Sequence, residues 1–320
     1  MKQRALKPWS VMALVALSCG LAPGFVVPAH AQDKGVVHTD MVNAVRGWTG
    51  MGIRLKRGLS IVTEGLSVTV FGVGMDNQLM SINSADGTQT WGPAIDHGGN
   101  LASAPACIAD LTTKSEGIRC FYVSGGVLLS QLIPQYGGER PASPVGDRKF
   151  GFAPAVALSD LQGPQKHKDN KPNYRVFGHA TDDDGLWYAD TASGQLQVTW
   201  VSMAGKLKGS PSCLRTEGAT TCYVIGSDDA VWSVRYDHDH YAWNLVGGHA
   251  VLGVHAWIER KWPVLAVRGA DSSLWVGRQD LDTLQWQWSE RPGEIASTPA
   301  CTATRCFAIL PGGELGYQDL

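Results

Sequence analysis

Three tryptophans, Trp187, Trp232 and Trp275, hold the same place in three similar strings: Asp183-Asp184-Gly185-Leu186-Trp187, Asp228-Asp229-Ala230-Val231-Trp232 and Asp271-Ser272-Ser273-Leu274-Trp275. An indole face stacks on an apolar ligand surface such as the CH face of a sugar, and nearby polar groups then fix its orientation. The same rings also fill space between packed sheets, so both roles stand open for these residues and for Trp91, Trp200 and Trp243. His179 and Arg268 precede two of the turns and are the polar side chains placed to reach a ligand beside them. Asp76, Asp183, Asp228 and Asp271 recur at one position, where a short carboxylate can hold a tight turn through neighbouring backbone N–H groups.

Other chemistry finds less support. Asp237-His238-Asp239-His240 has metal-ligand types, and His238 and His240 would share one face of a strand, but two ligands without a third read as a solvated hairpin tip. Ser84-Ala85-Asp86-Gly87-Thr88-Gln89-Thr90-Trp91 approaches the Asp-box of sialidases, a turn motif, with its Gly one place early. No Arg-Ile-Pro, no Gly-x-Ser-x-Gly elbow, no P-loop and no dinucleotide fingerprint accompanies it. The sequence therefore yields no catalytic residue, no metal ligand and no cofactor, and the expectation is a binding protein that is not an enzyme.

The elements that must carry these residues form a repeat. The apolar position after each turn falls at 79, 128, 186, 231, 274 and 315, with Gly in place of Asp in the copies at 125–126 and 312–313. A small residue then Pro recurs upstream, as in Ser103-Ala104-Pro105 and Ser297-Thr298-Pro299, and a Trp closes several units downstream. Short β segments at a 40–50-residue period, rich in Gly and Trp, are the mark of propeller blades. Helical solenoids of similar period would show a sustained 3.6-residue pattern, which is missing. The expected fold is all-β, a six-bladed β-propeller spanning 32–320. Its last blade would be completed by outer strands from Arg46-Gly47-Trp48 and Gly58-Leu59-Ser60-Ile61-Val62, leaving no open sheet edge. The stretch 163–172 reads as a surface insertion.

Hydrophobic residues make up 44% of the 320 and charged ones 18%, which excludes a disordered chain. Residues 1–31 have the order of a signal peptide. Lys2, Arg4 and Lys7 precede an apolar run, and Ala29-His30-Ala31 sets cleavage between Ala31 and Gln32. The expectation is a secreted or periplasmic protein without a membrane span. Losing those residues moves the net charge from −2 to −5, a poor balance for binding nucleic acid. Six cysteines remain, and an even count in an exported chain reads as disulfides rather than zinc. Six cysteines allow 15 pairings. The repeat frame favours the local pairs Cys107 with Cys120, Cys213 with Cys222 and Cys301 with Cys306, each tying neighbouring strands of one blade.

Phe71-Gly72-Val73-Gly74-Met75-Asp76-Asn77-Gln78-Leu79 and Gly98-Gly99-Asn100-Leu101-Ala102-Ser103-Ala104-Pro105 resemble the blades of PLL-type bacterial β-propeller lectins, and Gly247-Gly248 after Trp243 fits the same slot. The resemblance covers nearly all of 32–320. It implies a lectin binding fucose or related sugars in shallow pockets between blades, against Trp or Tyr rings, without metal or catalysis. Glycans or glycoconjugates are then the expected partners, with ligand contacts at Trp187, Trp232, Trp275, His179 and Arg268. A propeller scaffold for a protein partner and a sialidase-like glycosidase are the alternatives. The cysteine pairs depart from the family pattern, as do the two copies lacking both Asp and Trp.

Overall fold

The computed structural model describes residues 47–110, 117–135, 138, 140–158, 173–192, 198–216, 219–237 and 240–320. The expected signal peptide (1–31) and the expected 163–172 insertion lie outside the described residues, as does His238. The described chain forms 24 strands in six four-stranded antiparallel sheets and, among these residues, no helix. Strand β1 (Thr49–Arg54) comes first but belongs to the last sheet. Blade 1 is β2 (Arg57–Glu64), β3 (Ser67–Val73), β4 (Leu79–Ser84) and β5 (Ile95–Asp96). Blade 2 is β6 (Ala106–Asp110), β7 (Gly117–Ser124), β8 (Val127–Pro134) and β9 (Ser143–Lys149). Blade 3 is β10 (Ala155–Leu158), β11 (Asn173–His179), β12 (Leu186–Ala192) and β13 (Val201–Ser202). Blade 4 is β14 (Ser212–Thr216), β15 (Ala219–Ile225), β16 (Val231–Asp237) and β17 (His240–Gly247). Blade 5 is β18 (Val251–Glu259), β19 (Trp262–Arg268), β20 (Ser273–Gln279) and β21 (Trp286–Glu294). Blade 6 is β22 (Ala300–Cys301), β23 (Arg305–Ile309), β24 (Glu314–Asp319) and then β1.

The six first strands contact one another in a closed ring around a channel of about 200 Å³, lined by Gly58–Ile61, Ala104–Cys107, Ala153–Val156, Ser210–Cys213, Val254–Ala256, Thr298 and Pro299. Second strands such as β15, pressed between neighbouring sheets, are buried nearly throughout, whereas the outer β21 alternates between half-buried and exposed residues. The apolar core is accordingly six inter-blade layers. One joins Phe177, Leu186 and Met203 of blade 3 to Val224, Val234 and Tyr236 of blade 4, and each of the other five spans one further interface.

The ring closes through β1, whose Thr49 and Gly50 pair with Tyr317 and Gly316, and Trp48 just before it is 1% exposed in the blade 5/6 layer. Closure uses this single outer strand, not two. The Gly58–Val62 stretch expected there lies in β2, the channel-lining strand of blade 1, because its Ser60 and Ile61 pair with Phe71 and Val70 of the next strand. The last blade supplies three strands before the C-terminus where two were expected.

Cys107, Cys213 and Cys301 face Cys120, Cys222 and Cys306 across the ladder between first and second strands, and all three pairs are bonded. Blades 1, 3 and 5 fill the same step with Ile61–Val70, Val156–Val176 and Ala256–Leu265. Disulfides and apolar pairs thus alternate around the ring.

Candidate site between blades 3 and 4

The turn between second and third strands is built alike in blades 3, 4 and 5. The residue after the aspartate, Asp184, Asp229 or Ser272, has φ of 54°, 63° or 69°, a left-handed conformation short polar side chains tolerate. The preceding aspartate accepts from the backbone N–H two residues on, at 2.9 Å for Asp183 to Gly185, 3.2 Å for Asp228 to Ala230 and 3.0 Å for Asp271 to Ser273. It also accepts the indole N–H of the Trp four residues on, with nearest distances of 3.0, 3.2 and 3.1 Å for Trp187, Trp232 and Trp275. The recurring Asp therefore shapes the turn and clamps the ring. Gly125, Gly126, Gly312 and Gly313 take positive φ in the copies without Asp, which need no such support. Accepting these donors holds the Asp228 carboxyl below the usual carboxylate range, and Trp232 Nε1–H is the largest cause.

Each Trp is half-buried at the edge of its blade, but its surroundings differ. Beside Trp232 a cavity of about 380 Å³ opens between blades 3 and 4, walled by Ala204–Lys206 on one side and by Gly226–Asp228, Trp232, Tyr241 and Trp243 on the other. Gly226 makes room for the clamp, since a Cβ there would meet Asp228 Oδ1 at 2.7 Å and the Trp232 ring at 2.8 Å. Trp243 donates its indole N–H to Met203 O at 3.0 Å and lies flush against Gly205, so it pins the two blades together while forming part of the wall. Lys206 Nζ donates to Asp183 O at 2.7 Å, which fixes an ammonium group on the opposite wall. Tyr241, on β17, is 46% exposed. Three aromatic rings, one carboxylate and one ammonium thus share a concave site, with apolar faces for stacking and charged groups for hydroxyl hydrogen bonds.

The structure does not bring the five expected ligand residues together. Trp187 carries Arg148 on its face, with the guanidinium carbon 3.4 Å from the ring centroid. His179 is 2% exposed, stacked on Phe152 at 4.3 Å, with Nδ1 3.3 Å from Gly209 O; burial lowers its pKa. Arg268 donates to Ile295 O and Ser272 Oγ, which ties the blade 5 turn to the strand-end beyond it. Trp243, for which both roles stood open, lines the blade 3/4 cavity, and Lys206 and Tyr241, which complete it, were not singled out as ligands. Their signals were the Gly-x-Leu slot holding Lys206 and the outward phase of Tyr241 in its strand. Asp237 and His240 pair across a hairpin tip, and no group of three metal-ligating side chains occurs among the described residues. Ser84–Trp91 folds as a turn held by Asp86. Asp86 accepts from Ser84 Oγ and from Gln89 and Thr90 N–H at 2.8–3.0 Å, and Trp91 packs edge-on against Phe307 at 5.4 Å. A larger groove of about 600 Å³ at the hairpin end of the channel, lined by Leu66, Trp257 and Ile258, contains neither carboxylate nor Lys or Arg, and is a weaker candidate for a polar ligand.

No protein-family model matches the chain, and no curated protein matches it in sequence. Its backbone is similar to an Aleuria aurantia lectin variant solved with Fucα1-6GlcNAc, with a TM-score of 0.60 and 13% identity over 84% of this chain and 92% of the other. It is also similar to SapL1 lectin in complex with α-methyl fucoside, at 0.57 and 12% over 77% and 82% of the two chains. AofleA from Arthrobotrys oligospora gives 0.53 and 12% over 84% and 81%. The shared fold is a six-bladed β-propeller. At these identities the likeness covers architecture and carries no residue from one chain to another.

Proposed function

We propose that this protein is an exported lectin that binds fucose-type glycans without chemically altering them, and that the blade 3/4 pocket is its binding site. The observation that carries the reading is the cavity bounded by Trp232, Tyr241 and Trp243 with Asp228 and Lys206 at its polar edge. Its size falls in the range of small-ligand sites. Two of the similar propellers bear fucosides in their solved complexes, which supports the same ligand class here. Three disulfides support folding in an oxidising compartment, as an exported protein would.

The test is a glycan array probed with the oxidised chain 32–320, followed by titration of methyl α-L-fucoside monitored by Trp fluorescence. Saturable binding that weakens at least ~10-fold, about 1.4 kcal/mol, in both Trp232→Ala and Tyr241→Ala is the expected result. Silence across the array from a folded protein sinks the lectin reading and favours a protein partner on the propeller faces.

A further inference from the structure

The interface between blades 2 and 3 repeats most parts of the blade 3/4 pocket, with a link two residues longer. Phe150 and Leu207 are equivalent, each bridging the residue that opens the next blade's turn, Ala180 and Gly226 respectively. Upstream, Gly146 lies flush against Trp200 as Gly205 lies against Trp243, and both glycines have positive φ. Trp187 and Asp183 answer to Trp232 and Asp228, and Val198 stands two residues before its Trp where Tyr241 stands before Trp243. Besides Val198 in place of Tyr241, the interfaces differ in the length of the link. One residue, Lys206, separates Gly205 from Leu207, whereas Asp147, Arg148 and Lys149 separate Gly146 from Phe150. The longer link delivers Arg148 onto the Trp187 face at 3.4 Å from its centroid, with Nη2 2.7 Å from Asp182 Oδ1 and 3.4 Å from Asp183 Oδ2. The Arg148 side chain is only 18% exposed, and its buried Nε has no hydrogen-bond partner among the described residues. A guanidinium held by one ring face and two carboxylates sits where a ligand would sit in the neighbouring interface.

We infer that a second binding site lies between blades 2 and 3, on Trp187, Trp200 and Asp183, and that Arg148 holds it shut. Its ligand class is that of the open pocket, a neutral glycoside stacked on indole, so this inference rests on the lectin reading. Arg148 is then the residue that sets how many sites each chain presents.

Two variants, Arg148→Ala and Arg148→Gln, test it by calorimetric titration with methyl α-L-fucoside. The expected result is one additional site per chain in either variant, removed again by Trp187→Ala in the same background. In the chain with Arg148 intact, Trp187→Ala should leave fucoside affinity and stoichiometry unchanged. Unchanged stoichiometry in both Arg148 variants overturns the inference, as does loss of fucoside binding in Trp187→Ala with Arg148 present, because the site would then already be open. A second probe separates this from failure of the lectin reading. Methylguanidinium should bind saturably to Arg148→Ala, quenching Trp fluorescence, and not to the unaltered chain or to the Arg148→Ala, Trp187→Ala pair. If no form of the protein binds the fucoside, the lectin reading fails. The guanidinium titration then still decides whether a closed pocket exists, and its failure in Arg148→Ala would show that no such pocket forms.

Discussion

The three disulfides offer a quantitative test of what staples the ring, because they share one ladder position and differ in the loop they close. The bonded residues are 13, 9 and 5 apart for Cys107–Cys120, Cys213–Cys222 and Cys301–Cys306. Taking those separations as loop lengths, the chain-entropy relation gives about 2.9, about 2.6 and about 2.1 kcal/mol of stabilisation at 25 °C. At about 2 °C per kcal/mol for a domain of this size, paired Cys→Ala variants should melt about 6, about 5 and about 4 °C lower. All six cysteines are buried in inter-blade layers, so the cost of removing the sulfur atoms is similar at each position and the differences reflect the loops. Differential scanning calorimetry of the three paired variants resolves that order. A largest loss at Cys301–Cys306 would refute the loop-entropy account. That bond lies in the blade whose outer strand, β1, comes from the other end of the propeller sequence, and the result would mean that it secures closure in the native state instead.

Three further perturbations address single interactions. Ser103 and Ser297 are buried, and their hydroxyls accept the backbone N–H of Val123 and Ile309 at 2.9 and 3.0 Å, so Ser→Ala at either should cost about 1–3 kcal/mol in urea denaturation. Arg175 donates two hydrogen bonds to Asp190 at 2.8 and 2.7 Å beneath Tyr188 and Tyr236, so Arg175→Ala leaves a carboxylate without its main partner and should lose about 3–5 kcal/mol. His255 lines the channel and donates Nε2–H to Cys301 O at 2.9 Å, and burial lowers its pKa to about 4. The unfolded state takes up that proton first, so the stability held by neutral His255 is complete above about pH 6.5 and declines as pH falls towards the folded value. Midpoints measured between pH 7 and 4 should fall less steeply in His255→Gln, and an unchanged slope would remove His255 from that pH dependence.

The architecture was legible because its determinants repeat. Six turns with a polar or glycine residue at the left-handed position fix six hairpins, and the Ser-x-Pro marker recurs because its hydroxyl satisfies a buried N–H of the next strand. The cysteines were legible for the same reason, each pair falling on one ladder step. Closure was read one strand out of place, since Gly58–Val62 and Thr49–Arg54 are both short apolar segments near a Trp and only pairing separates them. The candidate site was less legible. Its walls come from two blades, so Lys206 is brought beside Trp232 by inter-blade packing that no local pattern records, while Tyr241 comes from the next strand of the same blade. His179 fits the turn pattern as well as any ligand residue would, yet the Phe152 ring and the Gly209 carbonyl enclose it.

Apart from Val198 in place of Tyr241, what distinguishes the blade 2/3 and 3/4 interfaces chemically lies in the strand-end that faces each Trp. The scaffold repeats Trp and Asp faithfully in blades 3, 4 and 5, because together they complete the turn as well as any pocket, so their recurrence alone cannot count sites. The segment between the last glycine of one blade and the first apolar residue leading into the next has no such structural duty. At blade 2 it runs three residues and places a guanidinium on the ring; at blade 3 it is the single Lys206, whose ammonium is drawn aside to the Asp183 carbonyl, leaving the Trp232 side open. Two added residues can therefore change a ligand-accessible ring into an internally satisfied one while every strand, turn and core layer stays in place.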